Sequence, residues 1–88
     1  MKHRAKESLE KEPVFIGKII KEELVRKNRT VSWLSREIHC DRRNIYDIFT
    51  RHCIDTGLLY KLCVALSTNF FAYYTDSLNQ EGYVVEDR

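Results

Sequence analysis

Residues Val31 to Ile48 read VSWLSREIHCDRRNIYDI, and the apolar positions in that stretch decide the fold. Leu34 and Ile38 stand four apart, Ile45 and Ile48 three apart, so each pair lies on one face of a helix. His39-Cys40 breaks the pattern between them. Two helices this short are stable only if they cross each other and pack on further elements. Ser35 supplies a small side chain where they approach. Thr30 is the expected N-cap of the first, its hydroxyl accepting from a free N–H of the opening turn. Asp41 is the expected N-cap of the second, which should run from about Arg42 to Thr50. On that second helix Ile45, Ile48 and Phe49 face inward, while Arg42, Arg43, Tyr46 and Asp47 face out.

Working outward, Ile16, Ile20 and Leu24 recur at four-residue spacing, with Phe15 and Ile19 beside them. Lys18, Lys21, Glu22 and Arg26 fill the other face. This predicts a helix from about Val14 to Lys27, opened by Pro13 in its first turn and ended at Asn28-Arg29. Beyond the loop Arg51 to Asp55, a stripe of Leu58, Leu59, Leu62, Cys63 and Leu66 predicts a fourth helix capped by Asp55 or Thr56. Ser67-Thr68-Asn69 ends it. Asn69 is then the expected cap of a fifth helix, Phe70 to about Leu78, carrying the pairs Phe70-Phe71 and Tyr73-Tyr74.

The expectation is an all-α chain: a compact five-helix bundle over residues 13–78 with a short C-terminal tail. Its core should comprise Ile16, Ile20, Leu24, Leu34, Ile38, Ile45, Ile48, Leu59, Leu62 and Leu66. Residues 1–12 alternate charge with almost no hydrophobics and read as a flexible arm. The tail, 79–88, holds Tyr83-Val84-Val85, which prefers a strand. With 88 residues, one Pro and three Gly, the chain suits one domain of helices joined by short turns.

Several function classes are disfavoured. No apolar run approaches the roughly 18 residues of a membrane span, and MKHRAKESLEKEP lacks the apolar stretch of a signal peptide. A cytoplasmic protein without membrane contact is expected. Cys40, Cys53 and Cys63 then read as small apolar side chains. Neither His39-Cys40 nor His52-Cys53 has zinc-ligand spacing, so no metal or other cofactor is expected. No nucleophile, base and orienting group stand together in a recognisable motif, and an enzyme is not expected.

The charge distribution is more informative than its net value of +2. Between Arg26 and Arg51 lie seven basic residues and three acidic ones. From His52 to Arg88 the order reverses, with two basic and five acidic. A basic middle and an acidic end suggest one face for a polyanion and another turned away from it. The outward face of the third helix suits a major groove, because an Arg there can donate two hydrogen bonds to guanine O6 and N7. Free N–H groups at the start of the second helix, with Arg29, Thr30 and Ser32 clustered around them, suit a phosphate.

Residues 14–78 resemble the five-helix helix-turn-helix domain of phage repressors, Cro and the xenobiotic-response-element family of bacterial regulators. The resemblance rests on Leu34-Ser35, Ile38, Ile45 and Ile48, and extends to Leu59, Leu62, Ala65, Leu66 and Ser67. It implies sequence-specific binding of double-stranded DNA in transcription regulation. Arg42, Arg43, Tyr46 and Asp47 take the base-reading positions. Thr30, Val31 and Ser32 stand at the phosphate-clamping end of the second helix, with Arg29, Asn44 and Arg51 as further phosphate contacts. Where the family has Gly at the turn, this chain has His39, which must adopt a left-handed conformation if the turn is the usual one. Where the family favours Gln, it has Val31. A protein-interaction module, such as an antitoxin-like partner, is the alternative. Two readings of the C-terminal part stay open: a homodimer through Phe70, Phe71, Tyr73, Tyr74 and the tail residues Tyr83 to Val85, or a fifth helix that caps the core of a monomer that dimerises only on DNA.

Overall fold

In the computed structural model, which describes residues 14–82, five helices follow one another and no strand occurs among those residues. They are α1 (Ile16–Arg26), α2 (Val31–Glu37), α3 (Arg42–Phe49), α4 (Thr56–Leu66) and α5 (Phe71–Gln80). The expected all-α class and helix count hold. The proposed arm, Pro13 and the Tyr83–Val85 segment lie outside the described residues. Helices α1 to α4 belong to one packed unit, Phe15–Phe70, and α5 to a second.

Within the first unit α2 packs on α3, and α1 packs on both α3 and α4. All ten expected core residues are buried, and Ile16, Ile20, Leu34, Ile45 and Leu62 are sealed from solvent completely. The spacing argument works here because each helix presents one apolar stripe, and burying those stripes is the main favourable term available to so small a unit. Ser35 is buried as well, its hydroxyl donating to the Ser32 carbonyl at 2.9 Å.

Helix ends follow local chemistry, with four corrections. Thr30 caps α2 as expected, its Oγ1 accepting from the Trp33 amide at 3.0 Å. Asp55, rather than Thr56, caps α4, accepting from the Leu58 amide at 2.9 Å. Asp41 does occupy the N-cap position of α3, but its carboxylate makes no capping bond; only its carbonyl accepts, from Asn44 and Ile45. Helix α1 begins at Ile16 rather than Val14, because Phe15 leaves helical geometry and stacks its ring on His52, centroids 3.9 Å apart. Helix α3 ends at Phe49, one residue short of the expected Thr50, which becomes its C-cap. Helix α5 begins at Phe71 and runs through Gln80, so Asn79 and Gln80 are helical rather than tail.

Phe70 stands in the turn before α5, fully buried, with its amide 3.1 Å from the Thr68 carbonyl and 3.4 Å from Cys63 Sγ. It therefore drops out of the expected dimer surface. No residue of α5 is buried, and Tyr73 and Leu78 are exposed.

Three helices end alike. Asn28, His39 and Ser67 each adopt positive φ, 57°, 57° and 50°. In each case the next amide, of Arg29, Cys40 or Thr68, reaches back to a carbonyl of the last turn, at Leu24, Ser35 or Cys63, over 3.1, 2.9 and 3.0 Å. This is the helix stop that glycine usually provides. The left-handed geometry expected of His39 is present, and it returns the chain from α2 into α3 within a few residues.

Candidate nucleic-acid interface

An α-helix advances about 100° per residue, so the buried pair Ile45 and Ile48 fixes where every other α3 side chain lies. Arg43, Tyr46, Asp47 and Thr50 fall opposite that pair, and all four are exposed. Arg42 falls on one flank, and Asn44 and Arg51 on the other. Tyr46 is 59% exposed, too open for a packing residue, with its ring edge-on to Phe49 at 6.1 Å. Of the four positions expected to read bases, Arg43, Tyr46 and Asp47 thus share one outward face.

Arg42 turns towards α2. Its Nη1 lies 3.4 Å from Ser32 Oγ, linking the start of α3 to the start of α2. Arg29, Thr30 and Ser32 gather at the same end of α2. The Arg29 guanidinium lies over the Trp33 ring, 4.6 Å from its centroid, which holds a cation beside the first turn of the helix. Thr30 Oγ1 accepts the capping bond and keeps its own proton to donate. Val31, the first residue of α2, is half-buried. Five of the expected contacts, Arg29 to Ser32 and Arg42, therefore lie together.

On the other flank Arg51 pairs with Asp47. Its Nε and Nη2 both donate to Asp47 Oδ2, at 2.9 and 2.5 Å. Asn44 is exposed beside them, and a recess of about 270 Å³ between Asn44, Asp47, Arg51 and Leu58 separates this flank from the start of α4. The Arg43 side chain takes part in no hydrogen bond or ion pair among the described residues.

What holds α3 at this angle was not evident from residue spacing. Gly17, the second residue of α1, sits against the end of α3. A Cβ there would stand 2.7 Å from the Arg51 carbonyl oxygen and 2.8 Å from the Phe49 carbonyl carbon, and closer still to the Ile48 carbonyl oxygen. The Gly17 amide donates to the Arg51 carbonyl at 2.9 Å, so a free N–H at the start of α1 is satisfied by the chain leaving α3. The signal was present as a glycine inside an apolar stripe, which often marks close backbone approach.

Glu23 is the second residue that spacing missed. Its side chain is buried on α1, accepting from Arg26 Nε at 3.0 Å and from Thr68 Oγ1 at 2.9 Å, with Lys27 Nζ 3.6 Å away. The Arg26 hydrogen bond, helped by Thr68 and by the charges of Arg26 and Lys27, outweighs desolvation and holds its carboxyl at about 2 instead of 4.5. Lys27 also donates to the carbonyls of Leu66 and Ser67, neutralising the negative end of α4. This network ties α1 to α4 behind the α2–α3 pair.

The cysteines and histidines do other work. His39 forms the turn and His52 stacks on Phe15. Burial, reinforced by Asp41, pushes the Cys40 thiol up from its ordinary value. A different surface lies on α4, where Tyr60 and Val64 are 64% and 63% exposed. They line an apolar groove of about 400 Å³ with Ile38, His39, Lys61 and Ala65.

Compared with known proteins, the chain matches no protein-family model, no curated protein and no solved structure.

Proposed function

We propose that this chain binds duplex DNA through a helix-turn-helix, with α3 laid in the major groove, and serves as a cytoplasmic transcription regulator without catalytic activity. The observation that carries the reading is the outward face of α3. It presents Arg43 and Tyr46 without internal commitments beyond one ring contact, beside Arg42 on its flank, while α2 crosses behind it. In the groove Arg43 donates to guanine and Tyr46 reaches base or sugar. Arg29, Thr30, Val31 and Ser32 meet the phosphates of one strand; Asn44 and Arg51 stand on the opposite flank for the other. Tyr73 and Leu78, both exposed on α5, offer a second copy a surface, and two copies would read two half-sites one turn of DNA apart.

A titration against duplex DNA at several salt concentrations tests this. Binding should weaken linearly in log–log form, with a slope set by the number of phosphates neutralised. Absence of binding even at low salt would sink the reading. The groove of Tyr60 and Val64 on α4 favours the alternative, a protein-interaction module; in that case Val64→Glu would abolish partner binding and leave any DNA affinity unchanged.

A further inference from the structure

We propose that Asp47 is a specificity-determining residue that selects cytosine, with Arg51 as the residue that positions it; the proposal rests on the DNA-binding reading above. A carboxylate on a face that approaches phosphates is repelled by them, so its presence in the middle of that face calls for a compensating role. Asp47 is the sole acid within α3 and falls between Arg43 and Arg51, one turn from each. Among the described residues it pairs with Arg51 alone. Both guanidinium bonds end on Oδ2, leaving Oδ1 without a hydrogen bond among the described residues. The side chain is 55% exposed, so that second oxygen is open to a ligand.

The arrangement cancels the charge of the carboxylate from the side facing the end of the helix and offers one oriented acceptor outward. In the major groove the partner for a bare acceptor is an exocyclic amine. Cytosine presents its N4 amine as the donor on its edge, whereas adenine sets the N7 acceptor beside N6, which repels a carboxylate. Guanine O6 and N7 and thymine O4 are acceptors and are rejected. Arg43, one turn earlier on the same face, supplies the opposite preference and takes guanine. Donor and acceptor side by side on one helix face read neighbouring base pairs differently, which a row of arginines could not do.

The test is selection of bound duplexes from a randomised pool by the full chain, by Asp47→Asn and by Arg51→Ala, followed by titration on single-site variants. Circular dichroism confirms folding, which these exposed substitutions should leave intact. The parent should prefer cytosine at one position by about tenfold or more. Asp47→Asn should move that position to adenine, since an amide pairs with N6 and N7 together, and leave the other positions unchanged. Arg51→Ala should weaken the cytosine preference with the guanine preference retained. If the parent and Asp47→Asn select the same base at every position, the inference is wrong while DNA binding stands. If the parent binds no duplex at all, the DNA-binding reading fails and takes this one with it.

Discussion

The two sides of α3 are built to opposite standards. Its inner side carries Ile45 and Ile48, both buried, and its end meets the backbone of α1 so closely at Gly17 that no Cβ fits between them. Among the described residues its outer side has a single ion pair and an edge-on ring contact, and the Arg43 side chain takes part in no hydrogen bond or ion pair. The difference separates what positions the helix from what it leaves open to solvent. Tolerances on the inner side fix where the helix lies, and side chains on the outer side can change without moving it. A binding surface on a regular helix gains from that division, because a displacement of about 1 Å weakens every directional contact at once.

The largest expected effect breaks the inner side. Ile45→Ala removes a sealed side chain at the crossing of α2 and α3 and should cost about 2–5 kcal/mol in urea unfolding. A loss below about 1 kcal/mol would mean that α3 is not anchored by its core face.

Gly17→Ala comes next, and its sign is the informative part. In an ordinary helix interior the change stabilises by roughly 0.5–1 kcal/mol. Here the new Cβ meets backbone atoms of Ile48, Phe49 and Arg51, which cannot swing aside as a flexible side chain would. A net loss of about 1–3 kcal/mol is expected, together with weaker DNA binding as α3 is pushed outward. Unchanged or increased stability would show that the seam between α1 and α3 is looser than described.

Arg43→Ala tests the outer side. Stability should stay within about 0.5 kcal/mol of the parent, while affinity for the preferred duplex falls by about 1–3 kcal/mol. A variant that unfolds more easily and binds DNA as before would reverse the assignment of the two faces.

These two sides also differ in how far they were legible in the residues. Stripes such as Leu34–Ile38 and Ile45–Ile48 state their own burial, because one helix turn is enough to bring them together. Thr30 and Asp55 state their capping role for the same local reason. Asp41 has the right chemistry at the right position and still makes no capping bond, since a side-chain rotamer is not set by position alone. Gly17 and Glu23 were harder, because each acts across the fold: one against the backbone of α3, the other against Thr68, 45 residues away. Phe70 stays outside α5 because its amide is held in the turn by the Thr68 carbonyl and Cys63 Sγ, contacts that residue spacing does not show. The pairing of Asp47 with Arg51 instead of Arg43 was open as well, since both stand four residues away.

Behind the α2–α3 pair, the Glu23 network makes the inner side sensitive to pH. Its carboxyl is held near 2 in the folded chain and returns to about 4.5 when unfolded. The stabilisation is therefore complete above about 4.5 and is lost as pH falls through 2. Thermal melts of the parent should decline over that window, and Glu23→Gln should start lower at pH 6 but decline less. Parallel pH profiles for the two proteins would show that Arg26, Thr68 and Lys27 do not hold the carboxylate in solution.

The smallest effect concerns the turn that sets one face relative to the other. His39 has positive φ, a conformation that costs a residue with a Cβ roughly 1–2 kcal/mol. His39→Gly removes that cost but adds freedom to the unfolded chain, which returns part of the gain. A net rise of about 0.5–1 kcal/mol is expected from the urea midpoint. Asn28 occupies the same geometry at the end of α1, yet asparagine tolerates it better, so Asn28→Gly should gain less. Ser67→Gly should fall nearer to His39→Gly. The ranking separates backbone relief from side-chain contact, because His39 also lines the groove with Tyr60 and Val64. If His39→Gly lowers stability while Ser67→Gly raises it, the imidazole contributes packing there that exceeds the strain of its backbone. The turn would then be held from the α4 side, and the position of α3 would depend on the groove as well as on the Gly17 seam.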